Sequence, residues 1–127
     1  MDATTNSLNW FEIPVTDFDR AKHFYQVVFS IHMEDSSMPG MQMAFFPYQM
    51  ENGKVAGAIA KSPYHIPAAD GVIVYLNSNP DLNNALEKVA AEGGEVLMGK
   101  TLISPEIGYM AYFKDTEGNR IGLHSQH

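Results

Sequence analysis

Two stretches decide the fold: Trp10-Phe-Glu-Ile-Pro-Val-Thr-Asp-Phe-Asp-Arg-Ala21 and Val72-Ile-Val-Tyr-Leu-Asn-Ser-Asn-Pro-Asp-Leu-Asn-Asn-Ala85. Each is a short apolar strand pattern, a polar break and a helix start. The tails of the two halves match as well. Tyr48-Gln-Met-Glu-Asn-Gly-Lys-Val-Ala-Gly57 and Phe113-Lys-Asp-Thr-Glu-Gly-Asn-Arg-Ile-Gly122 share an aromatic, a turn glycine and a strand glycine. The spacing from Phe18 to Leu82 is 64 residues, and from Gly53 to Gly118 it is 65. A duplicated module must fuse two half-sheets to bury one core, and the seam between them is a natural ligand site.

Working outward, a strand is expected over about Asn9–Val15, with Phe11, Ile13 and Val15 on one face and Trp10, Glu12 and Pro14 on the other. Thr16 or Asp17 caps a helix whose apolar stripe is Phe18, Ala21, Tyr25 and Val28. Strands follow near Ile31–Asp35, Met41–Tyr48 and Lys54–Ala60, the last two joined by a turn at Glu51-Asn-Gly-Lys54. Ser62-Pro-Tyr-His-Ile-Pro-Ala-Ala-Asp-Gly71 is the linker. The second half has a strand over about Val72–Asn77, then a helix capped by Asn79 with Pro80 at its first position. Leu82, Ala85, Leu86 and Val89 form its stripe, and strands follow near Glu95–Ile103, Gly108–Lys114 and Arg120–Ser125. The expected fold is one α+β domain over 1–127. It consists of two βαβββ modules, 8–61 and 71–126, that form a cup of mostly antiparallel sheet.

Composition narrows the function. The chain has 127 residues, 45% hydrophobic, enough for a real core. With no cysteine, thiol catalysis, disulfides and thiolate metal sites are excluded. A formal charge of −7 with only eight scattered Lys and Arg argues against a nucleic-acid partner. No apolar run reaches membrane-spanning length and the N-terminus is polar, so a cytoplasmic protein without a membrane partner is expected.

Asp17-Phe-Asp-Arg-Ala-Lys-His-Phe-Tyr25 after the first strand and Lys114-Asp-Thr-Glu-Gly-Asn-Arg-Ile-Gly-Leu123 near the end resemble the vicinal oxygen chelate superfamily. That group contains glyoxalase I, extradiol dioxygenases, and fosfomycin and bleomycin resistance proteins. The resemblance covers essentially the whole chain. It implies paired βαβββ modules forming a cup, often completed by a homodimer. In metal-using members, a His on each module's first strand and a Glu on its last converge on one divalent ion. Those positions fall here on Trp10, Gly57, Ile73 and Gly122, none of which ligates through a side chain. No metal or other cofactor is therefore expected. A shift of two residues along a strand would bring in Glu12 and His124.

Several residues are candidates on the cup face. Glu12, beside Trp10, could be a general base or ligand anchor, or an ordinary strand residue. Trp10, the only tryptophan, could stack on a flat ligand or pack at the seam. Tyr75 and Asn77 share a face with Ile73 and could orient a ligand. His124 follows Gly122 on the same side and could act as acid or base. Gly57 and Gly122 suggest close approach of a ligand or a facing strand. Tyr109, in the loop Ser104–Tyr109, is a candidate rim residue. His65 and His127 read as a linker and a terminal residue without a site role. The methionines between Met33 and Met50 suggest an adaptable apolar lining. The functional expectation is a small-molecule binder for an apolar or aromatic ligand. The alternatives are a lyase- or isomerase-type enzyme using Glu12 and His124, and a degenerate dimerisation domain.

Overall fold

The computed structural model describes residues 1–127. Strand β1 (Trp10–Pro14) is followed by helix α1 (Phe18–Phe29) and by β2 (Glu34–Met38), β3 (Met41–Phe45) and β4 (Ala56–Lys61). The order then repeats with β5 (Tyr75–Asn77), α2 (Asn83–Val89), β6 (Glu95–Ser104), β7 (Gly108–Lys114) and β8 (Arg120–Ser125). The strands form two four-stranded sheets, β1-β4-β3-β2 and β5-β8-β7-β6, so the fold is α+β with a repeated βαβββ unit. Four of the six strand pairings are antiparallel, while β1 with β4 and β5 with β8 are parallel.

Helix α1 forms where the sequence places its stripe. Phe18, Ala21, Tyr25 and Val28 are buried, as is Phe24. Asp17 is the N-cap, its carboxylate accepting the Arg20 amide at 3.1 Å. A second cap comes from the other module. Glu117, in the turn between β7 and β8, accepts the amides of Thr16 and Asp17 at 2.9 and 2.6 Å and pairs with Arg20 at 2.9 Å. Its carboxylate thus neutralises the positive end of α1. The modules also share one core of 19 buried residues, where Phe24 of α1 meets Phe113 of β7 and the Tyr25 hydroxyl donates to Asp115 at 2.7 Å.

Four expectations change. Strand β2 covers Glu34–Met38 rather than Ile31–Asp35. Helix α2 starts at Asn83 rather than at Pro80, and Asn79 does not cap it. The Asn79 side chain instead accepts the Gln126 amide at 2.7 Å, tying it to the end of β8. The strand expected from Val72 begins only at Tyr75, and Val72 is 93% exposed. Strand β3 ends at Phe45, so the connection to β4 is a longer loop around Glu51 and Gly53, both at positive φ.

The strand pairings of the two halves correspond, and their register fixes which side chains share a face. The Val15 amide bonds to the Ala60 carbonyl, and the Ser78 amide bonds to the His124 carbonyl. Pro14 pairs with Ala60 as Asn77 pairs with His124. The spacing is therefore 63 residues on the first strand of each module and 64 on the last. Gly57 is the counterpart of Ile121, and Ala58 is the counterpart of Gly122.

Candidate functional site

Side chains alternate along each strand, so the helix-free faces are read from the pairing register. On the first sheet, β1 presents Trp10, Glu12 and Pro14 beside Ala56, Ala58 and Ala60 of β4, then Phe45 and Met43 of β3. The alanines leave a shallow floor between larger side chains. The Trp10 ring meets Phe45 edge-on, with centroids 5.5 Å apart, and Phe45 meets Tyr48 at 5.8 Å. Trp10 remains 39% exposed. Of the methionines, Met33 and Met43 are buried, while Met38 and Met50 are exposed.

Gly57 is not on this face. It lies on the side of Phe11, where a Cβ would stand 2.5 Å from both the Phe11 ring and the Phe11 carbonyl oxygen. The missing side chain makes room for Phe11, and no ligand is needed to explain it. Gly122 does lie on the free face of the second sheet. Its space is filled by the Tyr75 ring, 2.6 Å from where a Cβ would sit. The Tyr75 and Tyr112 hydroxyls bond to each other above it. That hydrogen bond, aided by burial, pushes the Tyr75 phenol up to about 12.

Tyr109 is on the opposite face from the expected rim. It packs against the shared core with the Lys100 ammonium 4.5 Å from its ring centre. His124 points with Tyr75 and Asn77, but its Nε2 is bound to the Ile107 carbonyl at 2.7 Å. His124 and Glu12 lie on different sheets and share no contact.

Glu12 has other company. One carboxylate oxygen accepts the Trp10 indole N–H at 3.2 Å, and the other lies 2.8 Å from His65 Nε2. The far ring nitrogen, Nδ1, is 2.6 Å from the Ser62 hydroxyl. His65 and Ser62 both come from the linker, which folds back onto the Glu12 side of β1. The side chains of His65 and Glu12 are 17% and 33% exposed. A single histidine in a proline-bounded linker carries no periodic signal, so the sequence does not mark His65 as a site residue.

Two hollows lie beside β1, the larger of them on the seam with β5. The larger, of about 600 Å³, is walled on one side by Phe11, Phe46 and Ala56 and on the other by Ile73, Tyr75 and Asn77. Phe29 and Ile31, at the end of α1, close its back. Twelve of its fourteen lining residues are hydrophobic. The smaller, of about 260 Å³, holds Glu12 with Ile66, Asp70 and Arg120. The expected hollow is thus a cleft between two sheet edges, reaching toward the core. Trp10, Gly122 and His124 line neither part of it.

With Ala58 in place of Gly57, the four positions assigned to metal ligands carry Trp10, Ala58, Ile73 and Gly122. None offers the imidazole nitrogen or carboxylate oxygen a divalent ion takes, since an indole N–H only donates. No three His, Asp or Glu side chains are grouped so as to hold a metal ion. The residues present do not fit the family's metal. No helix is long and apolar enough to cross a membrane.

The family model for the Glyoxalase/Bleomycin resistance protein/Dioxygenase superfamily matches residues 7–123. A protein named "Putative glyoxylase CFP32" from Mycobacterium bovis is 30% identical over 118 residues, covering 91% of this chain and 44% of that protein. The chain therefore spans less than half the length of the curated relative it matches. Among solved structures, a glyoxalase I mutant from Zea mays is 18% identical with a TM-score of 0.71, covering 94% of this chain and 46% of that one. TnmS3, an antibiotic binding protein from Streptomyces sp. CB03234, is 18% identical with a TM-score of 0.63 over 98% of both chains. At these identities the two structures speak to the fold.

Proposed function

The chain belongs to the Glyoxalase/Bleomycin resistance protein/Dioxygenase superfamily, and on that premise we propose that it binds a small apolar or aromatic molecule at the seam between its modules, without the family's catalytic metal. The observation that carries this reading is the 600 Å³ cavity, whose size suits a small organic ligand and whose wall is almost wholly apolar. Ile73, just before β5, and Tyr75 and Asn77 within it form that wall, with the Asn77 side-chain amide as the polar group that orients a guest. A solved neighbour that binds an antibiotic, TnmS3, is consistent with this use of the fold. The absence of ligating side chains at all four metal positions supports metal-free binding.

The test is a titration with an uncharged fluorescent aromatic probe. Saturable one-to-one binding is expected, lost when Ile73→Glu puts a charge in the apolar wall.

A second reading is favoured by the Glu12–His65 contact: an isomerase- or lyase-type activity in which Glu12 exchanges a proton with substrate in the 260 Å³ hollow. Its partner would be His65, because His124 is held elsewhere by Ile107. Glu12→Gln should then abolish turnover while leaving probe binding at the larger cavity intact. We also propose a homodimer, in which a second copy covers the exposed aromatic row of Trp10 and Tyr48. Ultracentrifugation tests this directly.

A further inference from the structure

The linker and the first strand bring together three side chains in an order that chemistry uses elsewhere. Ser62 Oγ is 2.6 Å from His65 Nδ1, His65 Nε2 is 2.8 Å from Glu12 Oε1, and Glu12 Oε2 accepts the Trp10 indole N–H. The proton positions follow from the network. Glu12 is an acceptor, so Nε2 carries a hydrogen toward it. In the neutral ring, Nδ1 is then free to accept. Ser62 Oγ already accepts the Tyr64 amide at 3.1 Å, so its own proton is available for Nδ1. A hydroxyl bonded to an imidazole, itself oriented by a carboxylate, is the arrangement that activates a serine. The Trp10 indole N–H holds the other carboxylate oxygen in place.

Ser62 is only part-buried and opens on a third hollow, of about 520 Å³, whose wall also carries Gln42 and Lys61. Their amide and ammonium are the hydrogen-bond donors on that wall, of the kind that receives charge developing on an acyl oxygen.

The geometry points to a second activity: Ser62, His65 and Glu12 form a nucleophilic relay that cleaves small carboxylic esters. Ser62 Oγ bonds to the acyl carbon, its proton passes to His65 Nδ1, and the carbonyl π pair moves onto oxygen. Collapse of that intermediate breaks the ester C–O bond, and the leaving alkoxide takes the proton from Nδ1. Water then attacks the acyl-serine by the same route, releasing the carboxylic acid and restoring Ser62. Only ester and water are consumed. The activity does not rest on the seam cavity, since Ser62 does not line it.

The experiment uses the intact protein and two probes, a fluorophosphonate and p-nitrophenyl acetate. A single phosphonate adduct on Ser62 is expected by peptide mass spectrometry, with esterase turnover that Ser62→Ala removes. His65→Ala and Glu12→Gln should each slow labelling by tenfold or more, as loss of a positioned base does. Thermal melting and binding of the aromatic probe at the seam show that each variant is folded, and keep failure here distinct from failure of the binding reading. Absence of a Ser62 adduct in the folded protein would overturn the proposal. So would labelling at the same rate in His65→Ala, which would mark the Ser62–His65 contact as a turn brace only.

Discussion

Ala58 and Gly122 are structural counterparts, each on the helix-free face of the strand that pairs in parallel with the first strand of its module. Gly57, one residue away, points to the other face. Adding a methyl group at the two glycines therefore has unequal cost. At Gly57 the new Cβ meets the Phe11 backbone oxygen at 2.5 Å, so β1 and β4 must separate. At Gly122 the nearest atoms are those of the Tyr75 ring, which is 45% exposed and can swing away. Gly57→Ala should cost about 3 kcal/mol and Gly122→Ala about 1 kcal/mol in denaturant unfolding, the range of overpacked sites.

Glu117 makes stability depend on acid. Burial alone would raise its pKa, but hydrogen bonds from Arg20, the Asp17 amide and Thr116 outweigh that and hold it below the usual carboxylate range. Its contribution is complete above the unfolded value of about 4.3 and disappears as pH falls through the lower folded value. Glu117→Gln should destabilise the protein by about 2 kcal/mol at pH 7, the scale of a lost charge-assisted hydrogen-bond set. The difference from wild type should shrink below pH 4 in urea melts.

The tyrosines predict the alkaline limb. Tyr75, raised to about 12 by its bond to Tyr112, adds stability that is complete below the unfolded value of about 10 and is lost as pH rises through 12. Tyr25 is fully buried, and burial together with Asp115 pushes its phenol well above the usual range. Ultraviolet titration should show a phenolate transition near pH 12 that Tyr75→Phe removes. Tyr25→Phe should leave that transition in place while costing about 1 kcal/mol for the lost buried hydrogen bond.

How much of this was legible depends on the range of the signal. The stripe of α1 is local and periodic, and all four predicted residues are buried. The bounds of β7 and β8 are legible for the same reason, being set by alternation and by the turn glycine Gly118. The repeat was also legible, but not its register. Matching Gly57 to Gly122 assumes a spacing of 65, whereas the ladders require 64, and in a strand one residue reverses the face. The face of Tyr109 follows from the same alternation, set by its pairing with Leu102 and not by the loop that precedes it. Glu12 was identified from its neighbour Trp10, but His65 is 53 residues away in sequence and meets it only because the linker folds back. Capping by the Glu117 carboxylate, which accepts the amide of Asp17 100 residues away, is equally invisible without the fold.

The central claim is ligand binding at the seam without a metal, and one titration tests it most directly. Protein treated with a chelator is titrated with an uncharged aromatic fluorophore, with and without added Zn²⁺, Mn²⁺ or Ni²⁺. The account predicts saturable one-to-one binding of equal affinity in every case, abolished in Ile73→Glu. Binding that appears only when a divalent ion is restored, or that survives unchanged in Ile73→Glu, would contradict it.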